Sequence, residues 1–182
     1  MRTAMPNLLA TLAPRDLRTR VVNVVIDTPR GSRNKFKYDE NLGCFRLSRI
    51  LPVGYSFPYD FGSIPQTRAE DGDALDVLVL NDAPSFPGCL VGVRLIGVIV
   101  ALQTAKGNTI RNDRLIAVPH TPVNRPRIRD LKEVHPEALR EIEHFFIGYN
   151  LAQHRRFEPA ARLGSRRAGQ ILESAIARYS QE

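Results

Sequence analysis

The sequence is poor in cysteine and has no long apolar run. Its two cysteines, Cys44 and Cys89, make neither a disulfide framework nor a zinc-ligand spacing. Both stand in apolar stretches and are expected as reduced core thiols. No apolar run approaches the ~20 residues that a membrane-spanning helix needs. The opening "MRTAMPNLLATLAPRDLRTR" sets a short apolar patch between arginines. The run Leu8 to Ala13 is too short for a secretion signal and is interrupted by Thr11, so cytoplasmic residence is expected. Internal repeats, low-complexity tracts and obvious linkers are also missing. What remains is an ordinary globular composition, 43% hydrophobic and 25% charged. A length of 182 residues favours one domain, 1–182, with a core that needs no staples, and residues 1–20 are expected to form an N-terminal extension.

Charge is unevenly spread. The chain carries a net +7, yet residues 61–105 hold 2 Lys/Arg against 5 Asp/Glu. Basic balance points to nucleic acid, a membrane surface or a small polyanion. An acidic island inside a basic chain points instead to metal cations together with an anionic substrate. The island centres on "EDGDALDVLVL", where Asp71, Asp73 and Asp76 fall within six residues and run into an apolar strand. Extended chain sends alternate side chains to one face, so Asp71 and Asp73 can point together. A turn at Ala74-Leu75 can bring Asp76 beside them. Three carboxylates so close repel one another, and burying them unpaired costs several kcal/mol. Hard divalent cations, Mg²⁺ above all, are the natural compensation. A solvated acidic turn is the plain alternative. An EF-hand is excluded, because the sixth loop position counted from Asp71 is Asp76 and the twelfth is Asp82. A carboxylate pair for glycoside hydrolysis has no other support.

Strand signals come first along the chain. "VVNVVID" (21–27), "DVLVL" (76–80), "CLVGVRLIGVIVAL" (89–102) and "DRLIAVP" (113–119) read as strands, the third bent at Gly92 or Gly97. "NKFKYDENLGCFRLSRI" reads as a hairpin turning near Glu40–Gly43. Helical spacing appears late, in Leu139, Ile142, Phe145, Phe146 and Tyr149 after Pro136, and again in Ala168, Ile171, Leu172, Ala175, Ile176 and Tyr179. Strands first and helices afterwards argue α+β, with five or six strands in a small closed barrel and helices packed outside.

The segment "DGDALDVLVL" resembles the signature of the family I soluble inorganic pyrophosphatases, Asp-x-Asp-x-x-Asp before an apolar strand. "VVIDTPRGSRNKFKYD", "FPYDFGSIPQT", "FPGCLVGVRLIGVI", "DRLIAVP" and "EIEHFFIGYN" follow that family's order and rough spacing, over about residues 21–150. The resemblance implies a five-stranded OB-like barrel with flanking helices, a homohexamer, and Mg²⁺-dependent hydrolysis of pyrophosphate. It implies that Asp71 and Asp76 ligate Mg²⁺, that Asp73 is the general base, and that Asp27 reaches a metal through water. Lys35, Arg49, Arg114 and Tyr149 would hold phosphate oxygens.

The departures are many. Lys37 stands where the family has Glu, and Phe57 and Phe61 replace two tyrosines. Arg114 and Asn150 replace lysines. Of two further metal-binding aspartates, one position falls on Asn112, with Asp113 beside it, and the other near Gln103 or Thr104. Lys37 is then expected to neutralise substrate charge in place of a missing metal. The same departures support a second reading, an impaired or repurposed relative. A third comes from another class: a barrel with alternating Phe57, Tyr59 and Phe61 and a basic "RPRIRD" (125–130) suits single-stranded nucleic acid, though the acidic island would repel it.

Overall fold

Five strands build the framework, most of them rich in apolar and β-branched residues: β1 (Val22–Thr28), β4 (Asp60–Ile64), β5 (Leu75–Val79), β6 (Leu90–Ala105) and β8 (Arg114–Pro119). The computed structural model describes residues 7–120 and 127–181. β1 pairs with β4, β4 with β5, β5 with β8, and β8 with β6, which returns to pair with β1. Only the β5–β8 pairing in this circuit is parallel. β6 is long enough, at 16 residues, to pair also with β7 (Asn108–Arg111) and β9 (Arg156–Gly164). Its register with β8 slips between Leu95 and Gly97, so the bend falls at the second of the two expected glycines. A Cβ at Gly97 would sit 2.5 Å from the Leu163 carbonyl oxygen and 2.6 Å from the Leu131 side chain.

The expected hairpin is β2 (Asn34–Asp39) with β3 (Cys44–Ile50), a separate two-stranded sheet. Asp39 closes its turn by accepting the Asn41 and Leu42 amides at 3.1 and 3.0 Å. Cys44 opens β3 on its exposed side and is not a core thiol; Cys89 is half-buried. Pro136 opens α2 (Pro136–Leu151), and Ser165 opens α3 (Ser165–Tyr179). A four-residue helix, α1 (Leu8–Thr11), precedes them all. The class is α+β, with one strand, β9, lying between the two long helices.

Period-two alternation divides the core. Leu78 of β5 and Ile116 and Val118 of β8 face a cluster with Phe57, Phe61, Phe145, Phe146 and Ile142 under α2. Val77, Val79, Leu115 and Ala117 face a second cluster with Ala168, Leu172 and Ala175 of α3. Strands covered on both sides read as unbroken apolar runs, which is what these segments show. Asp130 ties the two helical regions together. Its carboxylate accepts the Ser165 amide and hydroxyl at 3.0 Å, capping α3, and the Lys132 amide at 3.3 Å in a single 3₁₀ turn. Among the described residues no helix is long and apolar enough to cross a membrane.

Candidate active site

The aspartate segment is shaped by a buried threonine and a glycine. Thr67, 3% exposed, donates its hydroxyl to the Ile64 carbonyl at 2.6 Å and accepts the Leu75 amide at 3.0 Å, bracketing the loop between β4 and β5. Gly72 has φ of 86°, a conformation that disfavours other residues. The tight turn therefore lies at Ala69–Gly72, closed by the Gly72 amide on the Ala69 carbonyl at 3.2 Å, and not at Ala74-Leu75. Leu75 already belongs to β5.

This loop and the β2–β3 hairpin face each other across a cavity of about 310 Å³. Asp71, Asp73 and Asp76 line it, with Asp27 from β1, Lys35 and Lys37 from β2, Arg114 from β8 and Tyr149 from α2. Strand alternation explains the two lysines: residues 35 and 37 share one face of β2. The Lys35 ammonium donates to the Tyr149 hydroxyl at 3.0 Å and lies 5.2 Å from the centre of its ring. The Lys37 ammonium sits on Asp73, at 3.1 and 3.2 Å from its two oxygens. The Arg114 guanidinium is buried, with its carbon 5.0 Å from the Phe146 ring centre and 5.5 Å from that of Phe157. Arg114 Nη1 is 2.7 Å from Asp76 Oδ2 and also donates to the Asn112 side-chain oxygen.

Burial and crowding set the acidities. Burial pushes the Asp27 carboxyl up to about 7; the Ser63 hydroxyl at 2.7 Å opposes the shift and the charge of Asp76 adds to it. Burial also raises Asp71, against the Asp73 amide it accepts, and the charges of Asp76 and Asp73 raise it further. Burial would raise the Tyr149 phenol, but Lys35, by charge and hydrogen bond, and the charge of Arg49 outweigh it and hold it below its ordinary value. Buried carboxylates that resist their own charge and cations aimed into the same space form a site for a polyanion accompanied by a cation.

The inorganic pyrophosphatase family model matches residues 24–180. The chain belongs to the inorganic pyrophosphatase family. An inorganic pyrophosphatase of Thermus thermophilus is 37% identical over 174 residues, 94% of this chain and 97% of that protein. One from Geobacillus stearothermophilus is 32% identical over 163 residues, 90% and 96% of the respective lengths. The crystal structure of inorganic pyrophosphatase from Thermus thermophilus superposes with a TM-score of 0.87 at 34% identity, covering 96% of this chain and 99% of that one.

Around this cavity the sequence-predicted residues divide. Asp27, Lys35, Lys37, Asp71, Asp73, Asp76, Asn112, Arg114 and Tyr149 share the cavity. Arg49 lies opposite Lys35 in the hairpin register and reaches the site through its charge on Tyr149. Asp113 is not among the residues lining this cavity; it lines an adjoining pocket with Asp71 and Asp76, where Arg111 holds it at 2.7 Å and it accepts the Ala101 amide at 3.2 Å. Phe57 and Phe61 are 1% and 4% exposed and packed among core rings, so they offer no platform for stacking bases. Of the basic segment 125–130, residues 125 and 126 lie outside the described residues. Gln103, one of the two positions expected to match a family aspartate, also lines the cavity, as do Ser63, Arg68 and Arg155, which were not singled out from the sequence. Ser63 had a usable signal, since it alternates with Phe61 on β4; Arg155 follows a turn at His154 that leaves no motif.

The donors suit a hard divalent cation, being oxygen ligands whose negative charge is penalised where they stand. Asp71 has no ion-pair partner among the described residues, and Asp27 accepts from a hydroxyl. Yet no three of the described carboxylates converge as a ligand set. Asp73 and Asp76 are already engaged by Lys37 and Arg114.

Proposed function

We propose that this chain hydrolyses inorganic pyrophosphate to two phosphates in the presence of Mg²⁺. The observation that carries the reading is one cavity lined both by Asp27, Asp71 and Asp73 and by Lys35 and Tyr149. Asp71 is the proposed cation ligand, with Asp27 reaching through water. When bound, the cation neutralises phosphoryl oxygens and acidifies water. Lys35, Arg49 and Tyr149 hold phosphate oxygens and fix the substrate in line. The low-lying Tyr149 phenol, bonded to the Lys35 ammonium, is a strong donor for that purpose. Asp73 takes the proton from water as its oxygen bonds to phosphorus and the bridging P–O bond breaks.

The same reading extends to the whole protein. The circuit β1–β4–β5–β8–β6–β1 supports a five-stranded OB-like barrel within one pyrophosphatase domain, 1–182, with residues 1–20 as its extension. We take it as a cytoplasmic homohexamer, which light scattering tests. The activity test is phosphate release from pyrophosphate with Mg²⁺ and after chelation. Release that depends on Mg²⁺ supports the proposal. No release above background in a metal-replete sample would refute it in favour of a repurposed relative, for which Lys37 on Asp73 and the amides Gln103 and Asn112 already speak.

A further inference from the structure

Arg114 stands among the aspartates in an unusual way. Its side chain is 6% exposed and held between two aromatic faces, so it cannot withdraw to solvent. A guanidinium does not lose its proton in a protein, so its charge is permanent. Nη1 carries the bonds to Asp76, to the Asn112 side chain and, at 3.1 Å, to the Asp113 carbonyl. Asn112 in turn donates to Gln103 at 3.1 Å. The Nε of Arg114 is buried and has no partner among the described residues. The network Gln103–Asn112–Arg114–Asp76 thus holds one positive and one negative charge, balanced internally, with neutral amides completing it.

A divalent ion brought to Asp76 would meet this fixed cation within a few ångströms, in a partly desolvated space where like charges repel strongly. Arg114 engages Asp76 through Oδ2, so an ion on the other oxygen would share the carboxylate with an adjacent guanidinium, and an ion that took both oxygens would leave a buried cation uncompensated. We propose that Arg114 is a resident counter-ion that occupies Asp76 in place of a divalent cation, so that the cleft recruits fewer metal ions than its carboxylates would otherwise hold. This rests on the pyrophosphatase reading for the identity of the metal, but it concerns binding, which is measurable without turnover.

The test is Mn²⁺ binding to the full chain, followed by calorimetry and by the electron paramagnetic resonance of free Mn²⁺. Four proteins form a cycle: wild type, Arg114→Met, Asp76→Asn and the double variant. The methionine keeps an unbranched stem between the two rings. Arg114→Met is expected to bind one further Mn²⁺ per chain, or to bind the existing complement at least tenfold more tightly. Asp76→Asn is expected to weaken Mn²⁺ binding less than threefold in the wild type and more than tenfold in the Arg114→Met background. A plain packing role, or a charge acting only at a distance, would not couple to Asp76 in this manner. Unchanged Mn²⁺ binding in a folded Arg114→Met, or an equal cost of Asp76→Asn in both backgrounds, would overturn the proposal. If Arg114→Met does not fold, Asp76→Asn decides alone: a loss under threefold supports the counter-ion, and a larger loss makes Asp76 a metal ligand and overturns it. Phosphate release by the wild type, run in parallel, separates the two ideas. Activity with no coupling removes the counter-ion alone, and coupling without activity removes the hydrolysis alone.

Discussion

Replacing Lys37 by glutamate tests how the cationic wall of the cleft is used. In the free protein the Lys37 ammonium rests on Asp73 at 3.1 Å, and the two side chains are 60% and 66% exposed. An ion pair so open to water contributes about 0–1 kcal/mol. Burial opposes the charge on Lys37, but the hydrogen bond and the charges of Asp73, Asp76 and Asp27 outweigh it, so the ammonium is held charged above its ordinary range. If a phosphate oxygen takes that ammonium, it gains a charge-assisted hydrogen bond of about 1.5–3 kcal/mol. The exchange for Asp73 leaves a net gain of about 1–2 kcal/mol, or roughly 5- to 30-fold in binding. Lys37→Glu should therefore raise the KM for pyrophosphate by about that factor, while the urea midpoint moves by no more than about 1 kcal/mol equivalent. Mg²⁺ affinity should gain little, since Gln103 and Asn112 are neutral and Arg114 still holds Asp76. The assay is initial-rate phosphate release across a Mg²⁺ titration. A KM unchanged at every Mg²⁺ concentration would show that Lys37 does not meet the substrate, and the reasoning would fail.

Three further outcomes concern the scaffold. The Asp130 pKa is held below its ordinary value chiefly by the Ser165 and Lys132 amides, so the stability it lends is present above about pH 4 and is lost as pH falls through its lowered value. Asp130→Asn should flatten the fall in urea midpoint between pH 5 and pH 3, measured by circular dichroism. Thr67→Val keeps the shape but leaves the Leu75 amide without its acceptor, and should destabilise by about 1–3 kcal/mol and lower Mg²⁺-dependent activity by loosening the aspartate loop. Gly97→Ala, which pushes a methyl against the Leu163 backbone and Leu131, should cost about 1–3 kcal/mol in the same urea experiment; no loss would mean that β6 and β9 part freely there.

Much of this was legible in the residues. The hairpin announced itself because its turn residues act locally, and α2 and α3 did so because amphipathic spacing is visible within one element. β9 was not visible. Only Phe157 along it is buried, and Pro159 argues against a strand. The proline is accommodated because it falls beside the register slip between Val100 and Ala101, on a strand paired only along β6. The aspartates were legible as a cluster, but their partners were not. Lys37 is 36 positions from Asp73 and Arg114 is 38 from Asp76; the β5–β8 register brings the second pair together, and the packing of the hairpin against the loop brings the first. Asp113 looked available in sequence and is claimed by Arg111, its neighbour but one.

The β2–β3 hairpin is a sheet of its own, joined to β1 by the Thr28 hydroxyl, which accepts the Phe36 amide at 3.0 Å and donates to its carbonyl at 3.3 Å. Lys35, Lys37 and Arg49 all ride on it, while the aspartates ride on the main sheet and its loop. The two halves of the cleft are therefore built on separately bonded pieces of the chain. Substitutions on the hairpin can retune anion selectivity without disturbing the apolar strands that carry the acidic half, which gives such a protein a route to new phosphorylated substrates through changes at a few surface positions of one ribbon.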